Sequence, residues 1–109
     1  MAKYETTVRG SFDELRDRII EGILGGSASA TLEEESIFRG ASGSRCHVLV
    51  FERYSYSGGN RVSLAVTLFQ DGEQIHVSGI TSGGSQALFW KVNTIGEETF
   101  LEKLMEILQ

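Results

Sequence analysis

Four features of this 109-residue chain carry chemistry: two histidines, one cysteine, a run of three glutamates and a Ser-Gly-Gly-Ser stretch. His47, His76 and Cys46 are the residue types that ligate zinc, which needs bonds of about 2 Å from one centre. Strand register decides whether they converge. A two-residue turn at Asp71-Gly72 pairs Thr67 with His76, and a turn centred on Gly58-Gly59 pairs Phe51 with Val66. His47 then lies on one sheet face, near an edge and opposite Gln70. His76 lies on the other face as a partly exposed polar residue. Cys46 shares the face of His76 but sits about 13 Å further along at strand rise. No metal site is expected.

The glutamates Glu33, Glu34 and Glu35 alternate sides if they lie in a strand, so they do not converge on a cation. They read as a solvated acidic run that blunts a sheet edge. G-x-S-x-G does not occur, and only His76 could act as base for a serine. No two glycines are spaced G-x-G and none precedes a lysine, so the nucleotide-binding loops are absent. Amides around Ser82, Gly83, Gly84 and Ser85 could form an anion-binding nest. The competing reading is a flexible connection between strands. Trp90 could line a ligand pocket or an interface, or lie as core under the C-terminal helix. No catalytic residue and no cofactor are assigned.

The elements that hold these residues are legible from their periods. Lys3–Arg9 alternates as a strand. Ser11-Phe12-Asp13-Glu14 is a capping box, and Phe12, Leu15, Ile19 and Ile23 recur at helical spacing as far as Gly25-Gly26, predicting a helix over 12–24. Ala28–Arg39 reads as a strand with a bulge near Glu33–Ser36, because Ile37 falls on the wrong parity. Arg45–Tyr56, Arg61–Gln70 and Glu73–Thr81 follow as strands. Gln86–Val92 could add one more. Thr94-Ile95-Gly96-Glu97 resembles a second capping box, opening a helix that carries Phe100, Leu101, Leu104 and Leu108.

The expected fold is therefore one α+β domain over residues 1–109. An antiparallel sheet of five to six strands carries both helices on one face, in the order β-α-β-β-β-β-(β)-α. The helix-covered face is Leu49, Phe51, Val62, Leu64, Val66, Leu68, Ile75 and Val77. The opposite face holds Val50, Tyr54, Tyr56, Phe69 and Ile80 among polar residues, which is too apolar for a fully wet surface and predicts an interface.

Composition narrows the partners. A net charge of -5 argues against nucleic acid, which needs clustered Lys and Arg. No apolar run reaches the roughly 18 residues of a membrane span. The lone Cys46 and the polar N-terminus suit a reducing cytoplasm.

The opening Ser11-Phe12-Asp13-Glu14-Leu15, the stretch Ser82-Gly83-Gly84-Ser85-Gln86 with Phe89-Trp90-Lys91, and the tail Gly96-Glu97-Glu98-Thr99-Phe100-Leu101 resemble an uncharacterised family of small bacterial proteins. The element order looks like a TATA-box-binding-protein-like half or a reduced helix-grip fold. The resemblance implies a bacterial, cytoplasmic, stand-alone domain and no activity. The expected function is a non-enzymatic binding or interaction module acting as a homodimer. The alternative is a small-molecule carrier with a cavity between the sheet and the C-terminal helix.

Overall fold

A computed structural model describes residues 1–54, 60–83 and 90–109, with 90–95 described by backbone alone. Alternation makes β1 (Ala2–Arg9), in which every second residue is exposed. The Ser11 side chain accepts from the Glu14 amide at 3.3 Å and starts α1 (Phe12–Gly25). Phe12, Leu15, Ile19 and Ile23 form its buried stripe. The strands β2 (Thr31–Arg39), β3 (Arg45–Tyr54), β4 (Arg61–Asp71) and β5 (Gln74–Gly83) follow, then α2 (Trp90–Leu108). The five strands form one antiparallel sheet in the order β1-β5-β4-β3-β2. Thus β2 to β5 make a meander, β1 joins its far edge, and α1 bridges from one edge to the other.

The predicted helix-covered face is the core. Leu49, Phe51, Val62, Leu64, Val66, Leu68 and Ile75 are wholly buried, together with Ile19 and Ile23 of α1 and Phe100 and Leu104 of α2. At Gly79 the close approach of α2 depends on the missing side chain. A Cβ there would meet Leu104 Cδ2 at 2.3 Å and Leu101 Cδ1 at 3.2 Å.

Three sequence expectations need correction. Register is displaced by two residues in both hairpins. Phe51 pairs with Leu64 rather than Val66, and Phe69 rather than Thr67 pairs with His76. In the β4–β5 hairpin, Asp71 pairs with Gln74, so the turn residues are Gly72 and Glu73. Gly72 takes φ +64 and Glu73 an ordinary negative φ. Glycine at the first central position suits a type II′ turn, whereas the expected Asp-Gly turn needs positive φ twice. Second, Ser82 and Gly83 are strand residues paired with Ser63 and Val62, not loop. Third, Trp90–Val92 are helical, so no sixth strand runs through them and Thr94 lies inside α2. A capping-box pattern is local, and a helix already running passes through it, with Gly96 costing about 1 kcal/mol relative to alanine. Gly84, Ser85, Gln86–Phe89 and Tyr56 lie outside the described residues.

Candidate functional site

The exposed face of the sheet is the broadest feature that the helices leave open. Pairing arranges its side chains in rows that run across the strands from β2 to β1. Phe38, Cys46, Phe69, His76 and Thr7 make the first row. Ser36, Val48, Thr67, Ser78 and Glu5 make the second, and Glu34, Val50, Ala65, Ile80 and Lys3 the third. Glu52, Ser63 and Ser82 continue into a fourth, beyond which Tyr54 pairs with Arg61.

Most positions of the face are polar, but it also holds large exposed apolar side chains. Phe38 is 62% exposed, Tyr54 55%, Phe69 42% and Ile80 39%, and all four lie on this side. Val50 beside them is half-buried by its neighbours. Four of the five predicted interface residues are therefore on one surface, and Tyr56 falls outside the described residues. Phe38 completes the patch. Its outward parity is set by the register shift upstream in β2, which simple alternation along the strand does not carry.

The two-residue displacement has a chemical consequence. It brings Cys46 and His76 into the same row with Phe69 between them, about 10 Å apart across two strand spacings rather than 13 Å along the strands. Phe69 stacks on the His76 ring at 6.0 Å between centroids and an interplanar angle of 20°. His76 Nδ1 lies 2.9 Å from Thr7 Oγ1. An open depression of about 410 Å³ sits over Thr7, Thr67, Phe69, His76 and Ser78. A smaller one, about 230 Å³, follows on the other side of Phe69 beside Phe38 and Cys46. No cluster of metal-ligating residues occurs among the described residues.

A second polar cluster joins α1 to the sheet. The β2 register shifts between Leu32 and Glu34, where the bulge was expected. The shift separates the three glutamates. Glu33 reaches Arg61 at 3.8 Å on the open face, while Glu35 turns under α1. There Arg16 grips Glu35 with two bonds of 2.6 Å, Nε to Oε2 and Nη2 to Oε1. The acidic run is thus not solvated throughout. Its third member is a tether, because a parallel guanidinium–carboxylate pair is both strong and directional. The guanidinium holds the Glu35 carboxyl below its ordinary range.

His47 lies behind this pair. It is 2% exposed, opposite Leu68 and Ile37, with the Phe12 ring edge-on at 4.7 Å. Its Nδ1 stands 3.5 Å from Glu35 Oε2, and neither ring nitrogen has a hydrogen bond. Burial first, then the positive charge of Arg45, pushes its pKa below the ordinary value. Arg45 covers the Phe12 ring at 4.3 Å and donates to Asp13 at 2.7 Å, lowering the Asp13 pKa. His47 was expected near a sheet edge. It is next to the edge strand but sealed beneath α1, since that helix lies over the β2–β3 side.

The far end of the sheet carries the predicted ligand residues. Ser82 Oγ lies 2.9 Å from Ser63 Oγ, and Ser63 also donates to the Ser82 carbonyl at 3.2 Å. Gly83 ends β5, and Trp90 is the first residue of α2. On the helix side of this end, Arg53 is buried with its guanidinium 4.5 Å over the Phe100 ring. Buried Glu97 pairs with the amino terminus of Met1.

No helix among the described residues is long and apolar enough to cross a membrane. The chain belongs to a family of unknown function, DUF6054, whose model matches residues 1–109. A comparison with curated proteins finds no match.

Proposed function

We propose that this member of the DUF6054 family is a non-enzymatic binding module that works through the open face of its sheet, with a second copy of the chain as the occupant. One observation carries the reading: Phe38, Tyr54, Phe69 and Ile80 are exposed together on the face that neither helix covers. Large exposed apolar patches mark interaction sites, and these four residues share one uncovered face. Each square ångström of apolar surface withdrawn from water contributes about 25 cal/mol, set against the cost of immobilising two copies. The lone cysteine and the acidic composition fit a cytoplasmic setting.

The alternative, a carrier with a cavity between sheet and C-terminal helix, meets an obstacle at Gly79. There the Leu104 side chain occupies the space that a Cβ would need, so α2 rests directly on β5. The deciding experiment is native mass spectrometry, with sedimentation, of the protein and of Phe69→Glu. The module reading expects a dimer mass that becomes monomeric in the variant, with the melting temperature of the monomer little changed. A wild-type monomer at high micromolar concentration, or a fixed extra mass on a monomer, would sink it.

A further inference from the structure

The row arrangement of the open face restricts how two copies can meet on it. Strand spacing of about 4.8 Å and a rise of about 3.3 Å per residue give this face a plan of roughly 24 by 26 Å, or about 600 Å² before side-chain relief is added. A stable, specific interface needs about 800 Å² of accessible surface per partner. Only the face as a whole, with side-chain relief added to its plan area, approaches that size.

Charge is distributed unevenly across it. The β2–β3 side carries Glu33, Glu34 and Glu52 against Arg61, which lies 2.7 Å from Glu52. The β1 side carries Lys3, 3.5 Å from Glu5. Lys3 and Glu34 are both exposed and cap opposite ends of the row that holds Val50, Ala65 and Ile80.

We infer that two copies pack face to face about a two-fold axis that runs parallel to the strands over β4, so that Glu34 of each chain faces Lys3 of the other. This rests on the reading of the open face as a self-association surface. A two-fold in that direction exchanges the β1 and β2 edges and keeps every row opposite itself. Phe69 then meets Phe69 of the second copy, and the Glu34–Lys3 pair forms twice; Arg61 meets Arg61, each offset by Glu52 of its own chain at 2.7 Å. Glu52 faces the Ser82 hydroxyl of the second copy. The other in-plane two-fold, across the strands, would reverse the row order. With its axis over the middle row it would set Glu34 against Glu34 and Lys3 against Lys3, like charges that weaken association. Packed sheets cross at about 30°, which displaces each Glu34–Lys3 pair by about 5 Å along the strands, a gap these long side chains span.

The test is a charge swap read by sedimentation equilibrium. Lys3→Glu places two carboxylates opposite each other twice and is expected to raise the dimer Kd at least about tenfold. Glu34→Lys alone does the same with paired lysines. The double variant Lys3→Glu/Glu34→Lys restores the pair and is expected to return Kd to within about threefold of wild type. Lys3→Glu also removes the contact with Glu5 on its own strand, but Glu34→Lys cannot repair that loss. Rescue therefore reports the contact between copies. Melting curves of each variant establish that it folds. A dimer that Phe69→Glu abolishes but the single swaps leave intact, or that the double swap fails to rescue, overturns this geometry and leaves the face as the interface. A wild-type monomer at about 100 μM overturns both, since specific interfaces of standard size bind at micromolar or tighter. So does a dimer indifferent to Phe69→Glu.

Discussion

Gly79→Ala tests the packing of α2 on the sheet. The glycine is buried in β5, and its φ lies outside the positive range, so alanine fits the backbone. The added methyl has no room, because it would stand 2.3 Å from Leu104 Cδ2 and 3.2 Å from Leu101 Cδ1. Carbon atoms settle at about 3.5–4.0 Å, so Leu104 must move by more than about 1 Å or α2 must lift. Leu104 is wholly buried, and overpacking of such a core costs about 1–3 kcal/mol. Loss of glycine's freedom in the unfolded chain returns about 0.4–1 kcal/mol. A net destabilisation of about 1–2 kcal/mol is expected, lowering the melting temperature by about 5–15 °C. Thermal and urea unfolding followed by circular dichroism measure it. Leu104→Ala alone should cost about 2–5 kcal/mol. In that background Gly79→Ala should become neutral or stabilising, because the new methyl enters the space vacated. A variant as stable as wild type in the unaltered background would refute the close approach of α2 to β5.

His47 gives a pH prediction. Its folded pKa lies below 6.5, so the unfolded chain binds the extra proton first and stability falls as pH drops through 6.5. The groups around it are Phe12 and Arg16 of α1, Glu35 and Arg39 of β2, and Arg45 of β3; His47→Leu should flatten this slope in urea titrations from pH 8 to 5. Glu35 has a lowered folded pKa, and its contribution is present above 4.5 and is lost as pH falls further, a loss that Glu35→Gln should remove. Arg16→Met, which strips both 2.6 Å bonds from half-buried Glu35, should cost about 1–3 kcal/mol and increase hydrogen exchange in α1 before α2. Ser11→Ala removes the acceptor for the Glu14 amide and should cost about 1 kcal/mol by thermal melting.

Much of the fold follows from local pattern. Period-two alternation assigned every core residue of β3, β4 and β5 to its face, and the capping box with its helical stripe located α1 to within a residue of its end. These signals depend on parity and on contacts within a few residues, so they survive without knowledge of the rest of the chain. Register does not. Sliding a strand by two residues leaves each side chain on the same face, so the hydrophobic pattern cannot detect the slip, and the β4–β5 turn was decided by where Gly72 sits in it. The candidate site inherits that difference. That Phe69 and Ile80 share an outer face was legible in the sequence. That Cys46, Phe69 and His76 share a row required the pairing itself. The tether at Glu35 and the burial of His47 depended on a bulge combined with the placement of α1 over β2 and β3. The space lacking at Gly79 depended on α2. The sequence alone determined which residues leave water, because transfer free energy belongs to each side chain. Only the tertiary structure decided which of them meet, because closing long loops and packing helices onto a sheet are properties of the whole chain.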